Sequence, residues 1–403
     1  MSLKLNKGLI KGSLVLLIAF NIYNLFNFIF QFSMVRMLSV SDYGILATLF
    51  SIIYFLGVFT ESIQTIITKY TAKEENKGKL KNILKKSLKK AYFISSILFL
   101  VYLLAAIPLS SLLKIDYPLI ALNGLMIFIT FFVPINRGIL QGRKRFFPLG
   151  VNMIAESTIK LILAVVLAFI GWKVYGAMLG VILGVSIAFA LSFFNIGDII
   201  RAKEEKAETD DIYGYSKPTF LILLTVFIFY GIDIIIAKIF FPAEIAGSYA
   251  IASILAKTIF FGTQPIGRAM FPLSVENKSE KGKSENVFSN ALIILLLIII
   301  AALALFYFFP EMIIKIFSGK DIPEATSILF YIGIAIGLFS LANLILLYKL
   351  SVGRIRGYWV LFVFIAIEVF LLSYFSKNLF QFSIAFITSA AMFLWAAVVL
   401  IRE

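Results

Sequence analysis

The sequence predicts an all-α polytopic membrane protein with twelve transmembrane helices arranged as a six-plus-six parallel repeat. Three observations carry that prediction. The 403 residues are 61% hydrophobic, against the 45–50% usual for soluble domains, and the mean hydropathy is +0.98. Twelve apolar runs are each long enough to cross a ~30 Å hydrocarbon core. Lys and Arg concentrate on alternate connections between those runs.

In order, the runs fall at 11–35, 45–68, 91–113, 118–136, 150–171, 174–197, 219–240, 248–271, 287–309, 326–348, 357–376 and 380–401. With the N-terminus placed in the cytoplasm, 28 of the 37 Lys and Arg lie on inner segments and 7 on outer ones, while Lys160 and Lys257 lie inside spans. A missed or spurious span would invert this pattern downstream of it, so the bias supports both the count and a multi-pass cell-membrane topology with both termini cytoplasmic. It also accounts for the net charge of +15 without nucleic acid. No cleavable signal is expected, because the first run is too long and too rich in amides. The basic stretch "KGKLKNILKKSLKK" reads in two ways, as a topology anchor or as an amphipathic helix touching anionic headgroups.

Cysteine and histidine are both absent. That excludes disulfides, thiolate and imidazole metal centres, and Ser-His-Asp or Cys-His catalysis.

Polar residues inside spans are the candidates for function. In "FNIYNLFNFIFQFS" of span one, Asn21, Asn24, Asn27 and Gln31 fall within an arc of about 120°, which forms a stripe. The stripe reads as a wet face or as interhelical glue. Intramembrane charges are costly and by default mark function. Asp233 in span seven and Lys257 in span eight lie at similar heights, as a gate, a cation site or a structural pair. Glu61 sits near the inner end of span two. Glu156 and Lys160 are spaced i, i+4 on span five and are expected to neutralise each other. Glu368 lies mid-depth in span eleven with no obvious local partner, which makes it a candidate for protonation. In span eight, "FGTQPIGR" places Pro265 between Gly262 and Gly267, which predicts a broken helix bearing Thr263, Gln264 and Arg268. Glycine spacings at 176, 180 and 184 and at 333 and 337 predict close helix contacts. The 42 phenylalanines are expected at the lipid face or between helices.

The halves 1–200 and 219–403, joined by a cytoplasmic linker 201–218, resemble each other. Gln31 and Asp233 each precede a cation by five residues (Arg36, Lys238). An acid follows in the outer loop (Asp42, Glu244), and then a glycine opens the next span (Gly44, Gly247). Under this alignment Glu61 matches Gln264. An even number of spans per half gives both copies one orientation.

"RMLSVSDYGILA", "ILQGRKRF", "GIDIIIAKIFFPAEIAGSYAIASIL" and "IIKIFSGKDIPEATSILFYIGI" together resemble the polysaccharide flippases of the multidrug/oligosaccharidyl-lipid/polysaccharide exporter superfamily. The resemblance implies two six-helix lobes around a central cavity lined by spans one, two, seven and eight. It implies alternating access and a polyprenyl-pyrophosphate-linked oligosaccharide as the usual cargo. The amides, Glu61, Gln264, Lys257 and Arg268 would then face substrate, with Lys69 a further cation for the pyrophosphate. Asp233 and Glu368 would be ion-coupling candidates, for Na+ or H+, with no other cofactor. Expected partners are the lipid-linked glycan, membrane lipids, and glycosyltransferases or a polymerase of the same pathway. The alternative is a cation-coupled multidrug or metabolite exporter on the same fold. A membrane glycosyltransferase or polymerase would need a large outer loop with catalytic side chains. The longest here, about 310–325, has no His or Arg. A scaffold would have no need of polar stripes within spans.

Overall fold

The computed structural model describes residues 7–207, 217–276, 283–353 and 356–399. They form helices and no strand: α1 (Lys7–Met37), α2 (Val40–Tyr54), α3 (Gly57–Lys73), α4 (Lys77–Leu113), α5 (Tyr117–Gly124), α6 (Met126–Gly142), α7 (Phe146–Leu167), α8 (Lys173–Asn195), α9 (Gly197–Ile200), α10 (Lys217–Phe240), α11 (Ala243–Ala256), α12 (Thr258–Glu276), α13 (Lys283–Phe308), α14 (Pro310–Ser318), α15 (Pro323–Val352), α16 (Val360–Tyr374) and α17 (Leu379–Val399). Local chemistry sets many of these bounds. Ser39 caps α2 by accepting from the Asp42 amide at 3.0 Å, and the Asn76 side chain accepts from the amides of Gly78 and Lys79 to start α4. Pro310 and Pro323 stand at the first turns of α14 and α15, where their missing N–H costs nothing.

Among the described residues, ten helical stretches are long and apolar enough to cross a membrane, against twelve expected spans. The difference has two physical sources. The stretch Phe146–Asn195 folds back on itself at Gly171, whose φ of +99° suits glycine and turns the chain within a short π-helical segment, Ala168–Trp172. Its limbs α7 and α8 then lie side by side. A Cβ on Gly180 would sit 2.5 Å from the Ala164 Cα, and one on Gly184 2.6 Å from the Lys160 Cα, so the glycine spacing is what lets the limbs approach. The expected eleventh span, α16, is only 15 residues, about 22 Å, and falls short of a full crossing. Three expected spans are each built from two helices: α2 with α3, α5 with α6, and α11 with α12.

The chain forms two compact units: residues 1–38 with 56–215, and residues 39–55 with 216–403. The expected division at the 201–218 linker therefore needs one correction, because α2 packs with the second unit. Of that linker, residues 208–216 lie outside the described residues.

In the first unit, α3, α4 and α6 share a core of Ile63, Ile67, Leu80, Ile83, Phe131 and Ile135, and Ile196 and Ile199 close one end of it. In the second, Phe229 of α10 stacks on Phe339 of α15 with centroids 4.9 Å apart and planes at 7°, and it meets Phe393 of α17 at 4.8 Å. Here α2 lies against α10 and α11. Tyr54 and Tyr230 meet at 4.8 Å. The two repeat-related glycines face each other, so that a Cβ on Gly44 would lie 2.8 Å from the Gly247 Cα and one on Gly247 would collide with the Val40 carbonyl.

Candidate functional site

Among the described residues, each unit carries a buried centre with charged side chains on its apolar helices. In the first, α1 and α7 are joined by two rungs. The Tyr23 hydroxyl donates to Glu156 Oε1 at 3.1 Å, and one turn further along both helices the Lys160 ammonium donates to Asn27 Oδ1. Because both rungs step by +4, α1 and α7 run parallel, as the first and fifth spans of the expected topology must. Glu156 does not neutralise Lys160 along the helix, as its spacing predicted. Its second oxygen takes Arg137 Nη2 from α6 at 2.5 Å, and Arg137 Nε donates to Asn152 Oδ1 at 3.0 Å. The reason is geometric: both side chains project toward neighbouring helices, Glu156 to the Arg137 guanidinium of α6 and Lys160 to the Asn27 amide of α1. Arg137, read from sequence as an inner-loop residue, lies inside α6. Asn152 and Glu156 are buried and Lys160 is 8% exposed, with its ammonium 5.1 Å from the Phe30 ring centroid. The centre thus holds two cations and one carboxylate.

Asp233 dominates the second unit's centre. Its Oδ1 accepts from Lys257 Nζ at 2.8 Å, and its Oδ2 accepts from Tyr249 Oη at 3.0 Å and Ser253 Oγ at 2.7 Å. Tyr249, Ser253 and Lys257 recur every four residues and so share one face of the eighth span. The Lys257 ammonium also lies 4.7 Å from the Tyr230 ring centroid. Asp233 is fully buried and Lys257 is 2% exposed, so this ammonium is committed to Asp233 rather than presented to a ligand. Glu368 of α16 is fully buried too, and neither carboxylate oxygen has a hydrogen-bond partner among the described residues. It lies within electrostatic reach of both Asp233 and Lys257. A carboxylate with three donors thus stands near one with no hydrogen-bond partner among the described residues.

The other candidates are dispersed. Asn21 is exposed and donates to its own helix at the Leu17 carbonyl, 2.8 Å. Asn24 and Gln31 are half-buried, and Glu61 and Lys69 are exposed. Gln264 and Arg268 touch each other at 3.4 Å on α12. That helix runs unbroken through Pro265; the interruption comes at Lys257, between α11 and α12. Sequence reasoning missed Arg137, Ser253 and Tyr23. Only the Tyr249-Ser253-Lys257 periodicity would have signalled Ser253.

At the lysine-rich end of the first unit, Arg145 grips Asp198 with two bonds of 2.8 and 2.7 Å, and Lys77 lies 3.1 Å from the same carboxylate. The Arg145 hydrogen bonds hold the Asp198 carboxyl well below the usual carboxylate range, and Asp198 in turn raises Arg145.

The model of the polysaccharide biosynthesis protein family matches residues 33–327. No curated protein matches the chain significantly. Among solved structures, the inward-facing conformation of a multidrug resistance MATE family transporter of the MOP superfamily is similar with a TM-score of 0.78 at 14% identity, covering 93% of this chain and 92% of that one. The lipid II flippase MurJ, in an inward closed conformation, is similar with a TM-score of 0.73 at 14% identity, covering 96% and 87%. An outward-facing MATE structure gives 0.61 at 16% identity, covering 97% and 93%. The chain shares its fold with these transporters, and by the family match, which spans well over half its length, it belongs to the polysaccharide biosynthesis protein family.

Proposed function

We propose that this transporter flips a lipid-linked oligosaccharide, a polysaccharide repeat unit on a polyprenyl carrier, across the cell membrane by alternating access. The observation that carries the reading is the polysaccharide-family match over 33–327. The fold shared with a lipid II flippase supports it. The exposed or half-buried polar side chains Asn21, Asn24, Gln31, Glu61, Gln264 and Arg268 suit contact with sugar hydroxyls or water, and Arg268 and Lys69 suit a pyrophosphate. Coupling is assigned to the second unit's centre, where Glu368 takes up H+ or Na+ beside the Asp233–Lys257 pair. The decisive experiment reconstitutes the purified protein with a fluorescent lipid-linked sugar. Translocation no faster than in protein-free liposomes overturns the reading.

The second reading, a cation-coupled multidrug exporter, is favoured by the uncompensated Glu368 and by the fold shared with MATE transporters. Drug efflux in cells that Asp233→Asn abolishes would select it over the flippase.

A further inference from the structure

Of the helices that form single spans in the second unit, α16 is the shortest. Its 15 residues rise about 22 Å, whereas α10 and α17, which pack against it, have 24 and 21 residues and rise about 36 and 31 Å. Both ends of α16 are set by the chain. Before it, Gly357 has a φ of +82°, outside the right-handed helical region, and the amides of Val360, Leu361 and Phe362 bond back to the carbonyls of Gly357, Tyr358 and Trp359 in one tight turn. After it, the Phe375 amide closes the last turn on the Leu371 carbonyl at 2.9 Å. Residues 376–378 are polar, and the Asn378 side chain accepts from the Gln381 amide at 2.8 Å to start α17.

One face of α16 is buried through Leu361, Phe364, Ile365, Glu368 and Leu372. The opposite face is a single line of Trp359, Val363, Ala366, Phe370 and Tyr374, at spacings of four, three, four and four. Trp359 is 63% exposed, Val363 48%, Phe370 64% and Tyr374 66%. The line is apolar in the middle and ends on an indole and a phenol, side chains that settle at the two membrane–water interfaces. Arg356 and Lys377, both exposed, stand just outside them. The two anchors are 15 residues apart, so the interfaces they mark lie about 22 Å from each other, about 8 Å less than a ~30 Å core. Beyond either anchor the chain is non-helical, and such backbone is not tolerated against acyl chains. The bilayer therefore adjusts to the helix.

We propose that α16 holds a strip of thinned bilayer. Phospholipids lie along Val363, Ala366 and Phe370 with their headgroups drawn to Trp359 and Tyr374, and short acyl chains fit there better than long ones. The occupant is lipid rather than a second copy of the chain, because the strip repeats the profile of a bilayer in cross-section: cation, interfacial aromatic, apolar centre, interfacial aromatic, cation.

The test uses the full-length protein in liposomes. Trp172→Phe/Trp395→Phe leaves Trp359 as the single indole, and adding Trp359→Phe and Tyr374→Trp moves that indole to the other end. Quenching by phosphatidylcholines brominated at graded acyl positions reads the depth of each. The expected result is strongest quenching by the bromines nearest the headgroup, for both indoles, in dimyristoleoyl and dierucoyl phosphatidylcholine alike. Quenching of either indole from the bilayer centre in the thicker lipid overturns the proposal. Native mass spectrometry from mixed micelles supplies a measurement on the unmodified chain. Retention of dimyristoleoyl over dierucoyl phosphatidylcholine is expected on the order of tenfold. It should fall toward parity in Trp359→Phe/Tyr374→Phe, which keeps the ring bulk and removes the polar atoms. Equal retention of both lipids by the wild type overturns the proposal, and so does a dimer that Phe370→Ala disrupts, since a second copy would then cover the strip. None of these readouts involves a cargo, so failure of flipping leaves the inference standing.

Discussion

At the scale of single residues, the contrast between Asp233 and Glu368 decides what each substitution does. Asp233 has three donors, so removing one side of its ion pair strands a buried charge. Lys257→Met is expected to cost about 3–5 kcal/mol in detergent unfolding, and Asp233→Asn/Lys257→Met should recover most of that loss. Additive losses in the double variant would show that the pair is not the source. Glu368 makes no hydrogen bond, so Glu368→Gln should leave the melting temperature unchanged or raise stability by up to about 2 kcal/mol. If Glu368 is the coupling group, the same variant loses the pH or Na+ dependence of transport while remaining folded. A variant that keeps full ion dependence removes Glu368 from the mechanism. The sequence makes this pair of carboxylates legible because an acid in an apolar run is costly and stands out, whether it gates, couples or pairs structurally. It does not make Arg137 legible: a cation at the edge of an apolar run looks the same whether the helix stops before it or continues past it. It also assigns Glu156 to Lys160, because spacing along one helix is visible in sequence and the approach of α6 is not.

At the scale of elements, close backbone approach is the recurring device. Replacing Gly247 by Ala would drive a methyl group into the Val40 carbonyl, and Gly44→Ala would press on the Gly247 Cα. Each is expected to destabilise by about 1–3 kcal/mol through overpacking. Gly262→Ala, where nothing lies within 4 Å of an added Cβ, should be nearly neutral in the same melting assay. The clamp joining α4, α9 and the loop before α7 responds to acid. Asp198 is held below its unfolded range, so its contribution is fully present at neutral pH and is lost as pH falls below that range. With a third of the carboxylate side chain exposed, solvent screening keeps the contribution under about 1 kcal/mol. Asp198→Asn should lower stability at neutral pH by no more than about 1 kcal/mol, leave the acid value unchanged and so flatten the acid limb of the profile. Helix existence was readable because apolar runs need only length. Interruptions at Phe55, Leu125 and Lys257 were not, because they involve one or two residues of ordinary composition.

At the scale of the whole molecule, the absence of cysteine turns topology into a clean measurement. Single cysteines at Lys79 and Lys377, placed by charge bias on opposite sides, should react differently with an impermeant maleimide in intact cells. Lys377→Cys is expected to label directly and Lys79→Cys only after permeabilisation; the reverse pattern would invert the orientation. The likeness of the two halves is read from the loops before Gly44 and Gly247, which align. Their meeting face to face was not readable, since a repeat says that two segments are alike and nothing about whether they touch.

That meeting has a practical consequence for anyone dividing the gene. A cut within 208–216, where the sequence invites one, would leave α2 on the first polypeptide and its glycine-lined berth on the second. A second half expressed alone should therefore be less stable than one co-expressed with the first half, which donates that single helix in trans, and a first half lacking residues 39–55 should not restore it.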